Sequence, residues 1–157
     1  MDYIKNLRSL IGKERVIMVV AGAFVFDKKN RLLLQQRSDN EKWGLPGGFM
    51  ELEETVQDTA RREVFEETGL RLGKLDLFGI YSGPEYDKTF SNGDQVSMVQ
   101  LLFTCYEFEG ELNNNNNNNE SLRNVFFDLD KLPDNLFPDH QIFFEDLLSN
   151  RDRPILR

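Results

Sequence analysis

Three glutamates, Glu63, Glu66 and Glu67, stand at positions i, i+3 and i+4 of a stretch rich in helix-forming residues. At about 100° per residue they share one narrow arc of a helix. Three carboxylates so close repel one another, and the repulsion must be offset by basic partners, by solvent or by a cation. Taken alone, Glu-x-x-Glu-Glu reads most simply as a solvated acidic face. The pair Gly47-Gly48, just upstream, weakens that reading, because glycine lets a backbone come close to a ligand. Main-chain carbonyls there and the three carboxylates form the hard-oxygen set that suits Mg²⁺, an ion commonly shared with substrate phosphates.

The wider spacing is more specific. From Gly48 the chain reads Gly, five residues, Glu54, seven residues, Arg62-Glu63-Val64, one residue, Glu66-Glu67, one residue, Gly69-Leu70. With each fixed residue type used at roughly 7%, a chance match in a chain of this size has a probability on the order of 10⁻⁷. The segment 48–70 resembles the Nudix box at every fixed position. Arg37 followed by Trp43-Gly-Leu-Pro-Gly-Gly, the Glu-Glu-Thr-Gly-Leu exit and Phe126-Phe-Asp-Leu-Asp-Lys-Leu-Pro133 are similar to bacterial Nudix hydrolases too. The likeness spans about residues 15–148, tightly in the box and loosely elsewhere. Glu53 departs from it, standing where many relatives have Gly, which alters a turn and leaves the ligand positions alone.

The resemblance implies an α/β/α sandwich around a mixed sheet, in the broad α/β (α+β) class, and a pyrophosphohydrolase that uses Mg²⁺, with Mn²⁺ the alternative. It implies Glu63, Glu66 and Glu67 as metal ligands, with a main-chain carbonyl near Gly47, and Arg62 as the residue orienting a box glutamate. Glu54 is implied as a supporting residue; as a helix-start acid it would equally favour the helix dipole. Glu63 is the first candidate to accept the proton of the attacking water. Some relatives use a glutamate on a later loop, and here that would be Glu120. Arg37 and Gly48 are candidate substrate contacts. The implied substrate is a small nucleotide, with ADP-ribose or another nucleotide sugar favoured over a housecleaning (d)NTP reaction. A nucleotide-sensing module without catalysis is the reading from another class, and the complete set of box glutamates argues against it. Homodimers are frequent among similar proteins.

The surrounding elements must hold this constellation. Ile4, Leu7, Leu10 and Ile11 predict a helix within residues 2–12, part of an N-terminal extension over 1–14. Val16–Phe26 and Arg31–Arg37 predict two strands about an Asp-Lys-Lys-Asn turn, and Trp43–Gly48 is too rich in Gly and Pro for a regular element. A helix is expected from Glu54 to Thr68, ended by Gly69. Strands are expected over about Arg71–Ser82, Val96–Phe108 and Asn124–Asp128, and a closing helix over about Pro138–Asn150. The Asn113–Asn119 run reads as a loop. Trp43 is expected to pack under the glycine loop, His140 to sit at the start of the last helix, and Cys105 to be a small buried side chain. Among many phenylalanines no aromatic is singled out as a nucleobase shelf.

All 157 residues fit one domain. The formal charge of −8 and the lack of a Lys/Arg cluster argue against a nucleic-acid groove. A bound divalent cation would reverse that field locally and admit a polyphosphate. No apolar run approaches the ~20 residues of a membrane span, and one cysteine excludes an internal disulfide. A cytoplasmic protein without membrane or nucleic-acid partners is expected.

Overall fold

The computed structural model describes residues 2–113 and 121–157. Helix α1 (Tyr3–Ile11) is capped by the Asp2 carboxylate, which accepts from the Lys5 N–H. Strand β1 (Val16–Val25) is an inner strand of a mixed sheet, one place from its edge. It runs parallel to the long strand Gln95–Cys105, in register from Val16 against Val96 to Val25 against Cys105. Its other edge takes the short antiparallel strand Gly47–Phe49.

In chain order the remaining strands are β2 (Leu32–Arg37), β3 (Trp43–Gly44), β4 (Gly47–Phe49), β5 (Arg71–Leu72), β6 (Asp76–Tyr81), β7 (Asp87–Thr89), β8 (Gln95–Cys105), β9 (Phe108–Glu109), β10 (Ser121–Phe127) and β11 (Ile155–Leu156). The central sheet has the order β11-β6-β8-β1-β4, with β7 also paired to β8. A second sheet, β10-β2-β3, and the small pair β5-β9 complete the set. Helices α2 (Val56–Thr68) and α3 (Gln141–Leu147) cover the sheets.

Side-chain alternation along β1 shows why helices lie on both faces. Ala21, Ala23 and Val25 join Ala60 and Val64 of α2 and Leu33 of β2 in one buried cluster. Phe24 and Phe26 turn the other way, to Phe143, Phe144 and Leu147 of α3, with Leu32 and Leu34. The result is the expected α/β/α arrangement about a mixed sheet.

Several expectations are corrected. The Gly/Pro segment holds two short strands, β3 and β4, because an edge strand tolerates residues that a central strand does not. The stretch from Arg71 breaks at Gly73 into β5 and β6, which belong to different sheets, and Val96–Phe108 likewise divides into β8 and β9. The loop 83–95 contains a 3₁₀ turn (Pro84–Tyr86) and β7. The last helix is shorter than expected, preceded by a 3₁₀ turn at Pro138–His140, and β11 follows it. Among the described residues no helix is long and apolar enough to cross a membrane.

Candidate active site

Helix α2 begins at Val56, two residues later than expected. Thr55 is the N-cap and forms a reciprocal capping box with Asp58, while Gly69 closes the helix in the left-handed conformation (φ 84°). Glu54 therefore precedes the cap and is not a first-turn acid; Asp58 has that place. Glu54 instead faces the side of the helix. Its oxygens accept from Arg62 Nε at 2.6 Å and Nη2 at 3.0 Å, from the Glu51 N–H at 2.8 Å and from Thr59 Oγ1 at 3.2 Å. The Arg62 fork holds the Glu54 carboxyl below the usual range.

Arg62 links four partners. Besides Glu54 it donates to Glu63 Oε1 at 2.8 Å and to the Phe49 carbonyl at 3.0 Å, with Glu66 at the longer distance of 3.4 Å. The carboxylates raise its pKa further, Glu54 chief among them. A planar guanidinium can serve so many oxygens in fixed directions where an ammonium cannot. It ties the helix to the glycine strand and fixes Glu63 between them.

Glu63 rests against the Cα of Gly48: a Cβ built there would lie 2.6 Å from Glu63 Oε1 and nearer still to its other carboxyl atoms. Only glycine leaves that carboxylate its place. Glu67 is buried, 3% exposed. Its Oε2 accepts from the Gly47 N–H at 3.1 Å and from Gln35 Nε2 at 3.1 Å, while Asn124 Nδ2 donates to its main-chain carbonyl at 3.0 Å. Because β4 is an edge strand, the Gly47 N–H and the Phe49 carbonyl turn outward to Glu67 and Arg62. The N–H and C=O of one strand residue point the same way, so the Gly47 carbonyl shares that edge. Glu66 is the exposed member of the trio, its side chain 54% accessible.

The donor chemistry suits a hard divalent cation: three carboxylates on one helix face beside a main-chain carbonyl. Among the described residues, however, no three Asp, Glu, His or Cys side chains stand close enough together to form a ready cage. The hydrogen bonds account for this, since Glu63 is drawn to Arg62 and Glu67 to Gln35 and Gly47.

Next to the glycine strand opens a cavity of about 160 Å³, with Gly47, Gly48 and Glu67 at one end. Arg37 lines it too, but its guanidinium forks onto Asp39 at 3.0–3.1 Å and lies over the Phe137 ring at 4.3 Å. Glu120 lies outside the described residues. The cavity also brings Phe90 together with residues that the sequence reading passed over: Gln35, Lys88, Gln100 and Asp139. Lys88 Nζ and Asp139 form an ion pair, and beyond it lies a second, more open cavity of about 600 Å³. Gln100 did leave a signal, a polar residue between Val99 and Leu101, whereas Gln35 is followed by Gln36 and Arg37 at the polar end of its strand.

His140 does begin the last helix, as expected, and it also lines the cavity. Its Nδ1 accepts the Leu45 N–H at 3.1 Å, and its ring sits between Phe137 and Phe143. Burial, reinforced by Arg37 and Lys88, pushes its pKa down to about 3, against the opposing pull of Asp139. Trp43 is buried, with its ring edge-on against Phe127, and Cys105 is buried as expected.

This combination of fold, capped acidic helix and glycine strand defines a hydrolase of pyrophosphate bonds. The family model of the NUDIX domain matches residues 16–147, and the chain belongs to the Nudix family. The chain is 37% identical over 127 residues to an ADP-ribose pyrophosphatase of Methanocaldococcus jannaschii, covering 79% of this chain and 69% of that protein. It is 35% identical over 71 residues to a putative 8-oxo-dGTP diphosphatase of Bacillus subtilis, covering 44% of this chain and 48% of that protein. The crystal structure of a MutT NUDIX hydrolase from Burkholderia pseudomallei superposes with a TM-score of 0.69 at 27% identity, over 84% of this chain and 98% of that one. Members of the family act on small nucleotide substrates and generally use divalent metal ions.

Proposed function

We propose that this chain hydrolyses the diphosphate linkage of a nucleoside diphosphate joined to a second moiety, ADP-ribose or a related nucleotide sugar, with Mg²⁺ as the ion. The observation that carries the reading is the seating of two box carboxylates on the glycine strand, Glu63 on Gly48 and Glu67 on Gly47, with the latter at the end of a cavity. Glu63, Glu66, Glu67 and the Gly47 carbonyl would hold the ion. Once bound, it neutralises diphosphate charge and makes water a better nucleophile near neutral pH. Glu63 accepts the proton of the attacking water, and Arg62 keeps that carboxylate oriented. Gly48 gives that carboxylate its place on the strand beside the substrate, and Arg37, at the cavity wall, supplies positive charge once it exchanges Asp39 for substrate. The likeness to the ADP-ribose pyrophosphatase favours the nucleotide-sugar branch.

A (d)NTP pyrophosphohydrolase is the second reading, favoured by the likeness to the putative 8-oxo-dGTP diphosphatase. A panel of ADP-ribose, other nucleotide sugars and (d)NTPs, assayed with and without Mg²⁺, separates the two. Cleavage of nucleotide sugars to a nucleoside monophosphate supports the first, and release of pyrophosphate from triphosphates alone supports the second. Glu67→Gln should abolish turnover with the fold intact; surviving activity would remove Glu67 from the ion site.

A further inference from the structure

Among the described residues Gln100 is a buried side chain whose amide has no partner. It is 7% exposed, and its carboxamide makes no hydrogen bond to any described residue while its polar atoms keep access to the cavity it lines. A ligand that displaces water from that amide must pair with it, because an amide left buried and unpaired is unfavourable. Its place in β8 is set by register. Val20 of β1 is its neighbour on one side and Tyr81 of β6 on the other, and the alternation puts it on the face of Leu102, towards α3. It lines both cavities, where they meet.

The other polar groups of the first cavity are engaged at one end or more. Glu67 is held by Gly47 and Gln35, which spends its own Nε2 there and leaves its Oε1 without a partner among the described residues. Arg37 is forked onto Asp39, Lys88 is paired with Asp139, and His140 Nδ1 takes the Leu45 N–H. Gln100 alone among them has both its donor and its acceptor uncommitted within the described residues. Around it the walls are apolar and partly aromatic, with Phe49, Phe90 and Met98 among them. A slot of that kind takes a flat heterocycle, and a carboxamide pairs with a ring edge that carries a donor and an acceptor side by side.

We propose that Gln100 is a specificity-determining residue for the nucleobase, pairing through both ends of its amide with an exocyclic group and the adjacent ring nitrogen. This rests on the reading of the site as one for nucleotides. The amide can turn end for end, so it accepts an amino edge, as in adenine, or a lactam edge, as in hypoxanthine. What it rejects is a ring that lacks the pair. Replacing it by a carboxylate, an acceptor at both ends, would instead favour guanine, whose N1–H and N2–H₂ are adjacent donors.

The test is calorimetric binding of nucleoside monophosphates to the full chain, with AMP set against purine riboside 5′-monophosphate, which lacks only the 6-amino group. Wild type should bind AMP roughly tenfold to a hundredfold more tightly. Gln100→Met, of similar length and without the amide, should erase that ratio, and Gln100→Glu should raise GMP affinity relative to AMP. Equal wild-type binding of the two purines overturns the proposal without any variant. A ratio that persists in Gln100→Met overturns it as well, since another group then reads the ring. The nucleotide-sugar reading fails separately: turnover of none of the nucleotide sugars sinks it even where the AMP preference holds.

Discussion

Substituting Gly48 by alanine should disable the site through one atom. Gly48 lies in strand β4 and has no left-handed φ, so alanine brings no backbone strain there. The added Cβ would stand 2.6 Å from Glu63 Oε1, whereas ordinary contact begins at 3.4 Å. The carboxylate must therefore retreat by about 1 Å, and it moves against its bond to Arg62. A misplacement of that size in a reacting constellation costs on the order of a hundredfold in rate. The assay is kcat/KM on the best substrate of the panel, together with Mn²⁺ affinity by paramagnetic resonance and the melting temperature. The rate should fall about a hundredfold, ion affinity should weaken, and the melting temperature should hold within a few degrees. Because both changes act through one carboxylate, Gly48→Ala combined with Glu63→Gln should cost no more than Glu63→Gln alone. Wild-type kcat/KM in Gly48→Ala, or additive losses in the double variant, would refute the reasoning.

Other expectations follow from the same geometry. Arg62→Lys keeps the charge and loses the fork that joins Glu54, Glu63 and the Phe49 carbonyl, so ion affinity should drop about 10- to 100-fold; an unchanged titration would count against an orienting role. Asp146 is buried at the foot of α3, where it accepts from Arg157 at 2.8–2.9 Å and from the Tyr81 hydroxyl at 2.8 Å. Asp146→Ala should destabilise the fold by about 2 kcal/mol or more, read by urea unfolding. The Arg157 fork holds the Asp146 carboxyl below its ordinary range. Its stabilisation is thus present above the unfolded carboxyl's pKa, near 4, and is lost as the pH falls through the lower folded value. His140 acts over a higher window. With its folded pKa near 3 against an ordinary 6.5, the unfolded chain binds a proton in between that the folded chain does not. Stability should therefore decline as the pH drops below about 6.5, by up to about 1.4 kcal/mol per unit, and His140→Phe should flatten that slope in urea titrations from pH 7 to pH 5.

The box was legible because its chemistry is local. Glu63, Glu66 and Glu67 share a face by helical period and Gly69 stands where a helix ends, and sequence order alone reveals these. That Gly48 makes room for the Glu63 carboxylate, where the sequence offered only close approach to a ligand, emerges from the fold. The start of α2 was not so plain, since Glu54 and Thr55 both suit a helix entrance. What separates them is the hydrogen bond that the Asp58 N–H donates to Thr55 Oγ1, together with the attraction of Glu54 to Arg62. The breaks after Leu72 and Cys105 were hidden for another reason. A strand that leaves one sheet for another keeps its β propensity through the bend, and only its pairing partners change.

The cavity lay furthest from sequence reasoning because its wall is assembled from β1, β2, β4, β7, β8 and the turn before α3, segments far apart in the chain. Within such a wall a single polar residue carries more information than the apolar majority. Gln100 interrupts a strand of apolar neighbours, and burial of an amide is unfavourable unless something pairs with it. Gln35 of β2 gives its Nε2 to Glu67, inside the protein, while its Oε1 has no partner among the described residues. For Gln100 the described residues offer neither end of the amide a partner, and the argument turns outward, to the ligand. A polar break in a buried strand thus points to a ligand where both ends of its amide remain open to the cavity.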